Sequence, residues 1–150
     1  MHWPQRHWLQ HDRPSWVDAH DPIFITFCGL PRGFNQFAKP TVWTRLVATA
    51  EHLYLHHRCE PLLLLGMPDH VHLLVRIHAR FGIRAYIQQF KHSSGYGLKL
   101  RWQSNAFDHR IRGQQGVMAQ WHYILQNPVR AQLVAHPDDW PYRKTWSPNG

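Results

Sequence analysis

The chain has 150 residues, 43% of them hydrophobic and 13% aromatic, with a formal charge of +8. That length suits one domain with a real core, and that composition excludes a disordered chain. No apolar run approaches the roughly 18 residues of a membrane span, and the N-terminus lacks the apolar stretch of a signal peptide. Cys28 and Cys59 belong to no metal-type or redox-type pair, so both are expected as buried small hydrophobes in a reducing cytoplasm.

Residues 1–20 mix Trp3, Trp8 and Trp16 with His, Arg and Pro and read as an irregular arm; residues 21–150 read as a single domain. "PIFITFCG" (22–29) is rich in β-formers and ends at glycine, which predicts a first strand. "LPRGFNQFAKP" (30–40) is a loop. From Thr41, Val42, Leu46, Ala50 and Leu53 recur at helical spacing. "LLLLG" (62–66) fits a strand buried on both faces. "VHLLVRI" (71–77) alternates, placing Val71, Leu73, Val75 and Ile77 on one face and His70, His72, Leu74 and Arg76 on the other. "GIRAYIQQFKH" (82–92) returns to helical period, and "SSGYG" (93–97) is positioned to interrupt it. "AFDHRIR" (106–112) predicts a last strand, and "QQGVMAQWHYILQN" (114–127) a last helix closed by Pro128. The order β-α-β-β-α-β-α predicts an α+β fold, a ferredoxin-like four-stranded antiparallel sheet (βαββαβ) with an added C-terminal helix.

The charge is uneven. Residues 61–150 hold eleven Lys/Arg against four Asp/Glu, whereas residues 1–60 hold six against five. A basic field of this kind suits a polyanion, with a solvated basic surface as the alternative. Arg84, Lys91, Lys99, Arg101, Arg110 and Arg112 are the phosphate-binding candidates. Trp3, Trp8 and Trp16 could stack on unpaired bases, or simply pack.

His70 and His72 stand on one strand face, where two imidazoles can reach one metal ion. With fourteen histidines in the chain, about one His-x-His pair is expected by chance, so context must carry the inference: a Pro-Asp turn before the pair and a buried strand upstream. A third ligand is needed. Tyr123 and Asn127 are four apart on the predicted last helix, hence on one face. Asn supplies a carbonyl oxygen and Tyr a nucleophile. A core aromatic and a helix-ending residue are the structural alternatives for the two. Asp108 and His109 could steady a site or serve only strand pairing.

"MPDHVHLLV" (67–75), "WQSNAFDHRIR" (102–112), "YILQNPVRAQLV" (123–134) and "DDWPY" (138–142), in that order, resemble the REP-associated tyrosine transposases. These are single-tyrosine relatives of the transposases of small bacterial insertion sequences, within the HUH nucleases. The opening "HW…IFITFCGLP" (7–31) resembles the same family's first strand. Ala106 stands where an aromatic is common, and Gln132 where "NPVRAGL" would have glycine.

The resemblance implies a catalytic Tyr123 on the C-terminal helix, with His70, His72 and Asn127 as ligands of Mg²⁺ or Mn²⁺. It implies cleavage and rejoining of single-stranded DNA beside a REP-type hairpin through a 5′-phosphotyrosine, by a monomer in preference to a homodimer. Two other classes compete: a retired transposase that binds single-stranded hairpins without cutting, and a small metal-dependent hydrolase using activated water, for which Asp69 is the only carboxylate near His70.

Overall fold

The computed structural model describes residues 21–146, so the expected arm and Trp3, Trp8 and Trp16 lie outside the described residues. In chain order the elements are β1 (Ile23–Cys28), α1 (Pro40–Leu55), β2 (Cys59–Gly66), β3 (His70–Ile77), α2 (Ile83–Gly95), β4 (Phe107–Arg110), α3 (Gly113–Leu125), α4 (Asn127–Arg130) and β5 (Arg143–Thr145). They form an antiparallel sheet in the order β4-β1-β3-β2-β5. The first four strands and two helices make the expected ferredoxin-like unit. The fifth strand is an addition: three residues near the chain's end that pair with Leu63–Leu65 of β2. Three residues carry too little alternation to be seen in a sequence.

The alternation of β3 divides the molecule into two cores. Val71, Leu73, Val75 and Ile77 join Ile25 and Phe27 of β1 beneath α1 (Val42, Leu46, Ala50, Leu53) and α2 (Tyr86, Phe90). On the opposite face Phe24, Leu74 and Leu65 meet Val117, Trp121, Ile124 and Leu125 of α3. Each large apolar side chain taken from water there contributes roughly 1.5–3 kcal/mol, and this single layer docks α3 on the open face. The apolar run of β2 serves both cores. A bulge between Pro61 and Leu63 lets Leu62 and Leu63 both face α3, while Leu64 faces α1.

Two local expectations are corrected. "SSGYG" does not interrupt α2, which continues through Ser93 and Ser94 to Gly95. Ser94 is fully buried and satisfies its hydroxyl by donating to Phe90 O at 2.5 Å, so burial overrides a weak helix former. The last helix is also two helices: α3 ends at Leu125, Gln126 is the joint, and α4 begins at Asn127 with Pro128 behind it. Proline tolerates a first helical turn but not a helix interior, which accounts for the break. Tyr123 and Asn127 therefore do not share one helix.

Candidate active site

The site is built where β3 emerges from the sheet beneath the α3–α4 joint. A tight turn, closed by Met67 N–H donating to His70 O at 2.8 Å, delivers Asp69 and His70 to the strand's start. The chain's end secures that turn. Trp140 Nε1 donates to Gly66 O at 2.9 Å, and Gly66 N–H donates to Tyr142 O at 2.9 Å. That is the structural use of "DDWPY".

His70 and His72 project from the α3 face with ring centroids 4.7 Å apart. Each has its Nδ1 held. His70 Nδ1 lies 2.8 Å from Asp69 Oδ1, and His72 Nδ1 lies 3.0 Å from Thr26 Oγ1, the residue directly opposite it on β1. The ionised Asp69 carboxylate can only accept, so His70 Nδ1 donates to it; the Thr26 hydroxyl can accept from His72 Nδ1 in the same way, and both Nε2 lone pairs then face Asn127. Asn127 Nδ2 is 2.6 Å from His72 Nε2 and 3.5 Å from His70 Nε2. Two imidazole lone pairs and one amide converge, and turning the amide about its axis exchanges its nitrogen for its carbonyl oxygen. That donor set suits a divalent cation with coordination positions left open for substrate.

Electrostatics keep the imidazoles neutral, the form that binds metal. Burial first, then the charges of His70, Arg130 and Arg32, push His72 down from 6.5 to about 3. Burial also lowers His70, against the opposing pull of Asp69. For Asp69, burial pushes upward but is outweighed by hydrogen bonds from His70 and Gly33 N–H and by the Arg32 charge, so the carboxyl lies below its usual range. Phe24 stacks on His72 at 5.1 Å and contacts His109 at 5.3 Å. His109 thus reaches the site through Phe24. Asp108, paired with Ile25, faces the α1/α2 side.

Tyr123 is exposed, 53% of its surface open, one turn before Asn127. Arg130 holds it twice: Nη2 donates to Tyr123 O at 2.6 Å, and the guanidinium carbon stands 4.1 Å over the ring. Among the described residues no hydrogen bond ties the Tyr123 phenol to the histidines. The structure therefore groups His70, His72 and Asn127, and places Tyr123 one turn before Asn127, with no hydrogen bond to its hydroxyl among the described residues.

The six basic candidates do not form one stripe. Lys91 donates to Gln103 O at 2.8 Å and Ser104 O at 3.4 Å, so it ties α2 to the following loop. Arg84 is exposed on α2, and Arg110 pairs with Ile23, so both belong to the face opposite the histidines. Lys99 and Arg101 are exposed in the α2–β4 connection, and Arg112 is exposed as the residue before α3. Two cations the sequence did not single out act on His72 through their charge. Arg32 reaches Asp69 Oδ2 at 3.1 Å, and Arg130 comes from α4. "LPRG" and "NPVR" were visible as strings, but only the fold brings them to His70 and His72.

The family described as "Transposase IS200 like" matches residues 33–115. The chain belongs to the IS200-like transposase family. Over 104 residues it is 30% identical to a Haemophilus influenzae protein named "Putative REP-associated tyrosine transposase", covering 58% of this chain and 59% of that protein. The chain thus spans somewhat under two thirds of that curated relative. Its fold is similar to a solved REP-associated tyrosine transposase bound to a REP hairpin: TM-score 0.66, 22% identity, 95% of this chain and 82% of that one. It is also similar to a Deinococcus radiodurans R1 crystal structure described as a "putative transposase", with TM-score 0.53, 14% identity, 81% of this chain and 95% of that one. For an IS200-like transposase the matched segment contains the histidine pair, while Tyr123 and Asn127 lie beyond its end. Among the described residues, no helix is long and apolar enough to cross a membrane.

Proposed function

We propose that this IS200-like transposase cleaves and rejoins single-stranded DNA beside a REP-type hairpin, as a cytoplasmic monomer, with Tyr123 as nucleophile. The observation that carries this is the convergence of His70 Nε2, His72 Nε2 and the Asn127 amide one turn from an exposed tyrosine. His70, His72 and Asn127 would hold Mg²⁺ or Mn²⁺. Bound there, the cation would polarise the scissile phosphate and offset charge on the leaving oxygen.

The chain's own residues do the rest. Asp69 and Thr26 hold the two imidazole rings in place, Asp69 as an acceptor that also sets the His70 tautomer, so the rings need no reorientation. Arg130 holds the Tyr123 ring and carbonyl, limiting the directions from which the phenol can approach. The Tyr123 oxygen attacks phosphorus, the bond from phosphorus to O3′ breaks, and the proton lost by the phenol ends on the departing 3′-hydroxyl. The 5′ phosphate stays on the protein as a phosphotyrosine. Attack by a second 3′-hydroxyl reverses the step and joins strands.

The test is adduct formation. A hairpin oligonucleotide from repeats flanking the gene is incubated with Mg²⁺, Mn²⁺ or chelator, and covalent protein–DNA product is read on a denaturing gel. Wild type should give an adduct that requires the ion and is lost in Tyr123→Phe and His72→Ala. Binding without adduct under all conditions would favour the retired hairpin binder. Cleavage that survives Tyr123→Phe would point to activated water.

A further inference from the structure

The two arginines beside the histidine pair share a pattern. Arg32 is anchored at two of its three nitrogens: Nε lies 3.1 Å from Asp69 Oδ2, and Nη1 donates to Cys28 Sγ at 2.8 Å. Its side chain is nevertheless 51% exposed. Arg130 is anchored through Nη2, which donates to Tyr123 O at 2.6 Å, and holds its guanidinium carbon 4.1 Å over the tyrosine ring, while remaining exposed. A guanidinium carries five N–H donors. Among the described residues, no hydrogen bond uses the remaining donors of either one.

Each arginine is thus preorganised by contacts that leave part of its fork open. One is fixed to the carboxylate that orients His70; the other is fixed to Tyr123, from the helix that begins at Asn127. An anchored guanidinium gives up little side-chain freedom when it takes a bidentate oxyanion. We infer that Arg32 and Arg130 form a two-sided clamp for a single phosphodiester of the DNA strand, the one presented to Tyr123. The clamp rests on the strand-transfer reading above for the identity of that phosphate, though not for its chemistry. It is separate from the exposed bases Arg84 and Arg110, which face away from the site.

The experiment uses the full chain carrying Tyr123→Phe, so that strands bind without being cut. Single-stranded oligonucleotides carry one neutral methylphosphonate, moved along the chain a linkage at a time. On the all-phosphate strand, Arg32→Ala and Arg130→Ala should each weaken binding about tenfold, the size of one charge-assisted hydrogen-bond pair. At one linkage, and only there, the neutral strand should bind both variants within about twofold of the parent, because the charge they contacted is gone. Arg→Lys at each position should recover part of the loss, keeping the charge without the fork. If Arg32→Ala fails to fold, Arg32→Lys and Arg130→Ala carry the same comparison. An equal loss on every neutral strand would make the arginines purely structural and overturn the clamp. A charge-dependent linkage in a protein whose Tyr123 form makes no adduct would keep the clamp and reject strand transfer. An adduct without any such linkage would do the reverse.

Discussion

Gln132 adopts φ +61° where the chain leaves α4, the helix that begins at Asn127 and carries Arg130. Its N–H donates to Val129 O and that of Leu133 donates to Pro128 O, both at 2.9 Å. These paired bonds make a Schellman ending, in which glycine is preferred at this position because it has no Cβ to clash. A residue with a Cβ is penalised by roughly 1–2 kcal/mol in the left-handed region. Glycine in turn gives the unfolded chain extra freedom worth about 0.4–1 kcal/mol. The balance predicts that Gln132→Gly stabilises the protein by about 0.5–1 kcal/mol. For a chain of this size that raises Tm by about 1–4 °C. The assay is a reversible thermal melt of wild type, Gln132→Gly and Gln132→Ala. The alanine variant keeps the clash and should melt within about 1 °C of wild type. A glycine variant no more stable than the alanine one would refute the claim that the backbone carries strain here.

Stability should fall on the acid side. His72 titrates near 6.5 when unfolded but only at about 3 when folded, so the unfolded chain alone takes up its proton between those values. The metal-free protein should lose stability from this group, on the order of 1 kcal/mol per pH unit, as pH drops from 6.5 towards 3. Urea melts at several pH values check it, and His72→Asn should flatten the slope. Lys91→Met should destabilise by about 1–2 kcal/mol through the lost bonds to Gln103 and Ser104, yet leave the salt dependence of DNA binding unchanged; a shallower salt slope would return Lys91 to the phosphate contacts. Asp69→Asn and Thr26→Val should each weaken Mn²⁺ binding about 10–100-fold by releasing an imidazole, measured by calorimetric titration, with parent-like affinity in both counting against the ligand set.

The period-2 pattern of β3 shows which residues share each face, and so puts His70 and His72 together from the sequence alone. The apolar run in β2 likewise marked a strand covered on both sides. What stayed hidden depends on contacts between distant residues. Thr26 reads only as a β-former until strand register sets it opposite His72. Arg32 reads as a loop cation until Asp69 meets it. Ser94 looks like a helix breaker until its hydroxyl is buried against Phe90 O. The +8 charge marks a basic field but not its shape, because a sheet sends neighbouring strand residues to opposite sides, so Arg110 and His109 part company.

The α3–α4 joint also bears on how the protein fails. Tyr123, Asn127 and Arg130 come from eight consecutive residues, whereas His70 and His72 sit on a strand with partners on both sides. The first group depends on one layer of packing by Val117, Trp121, Ile124 and Leu125. A helical segment attached this way can open while the sheet beneath stays folded. On warming, the chemistry should therefore disappear before the fold does, with α3 amides exchanging with solvent hydrogen sooner than those of β1 and β3.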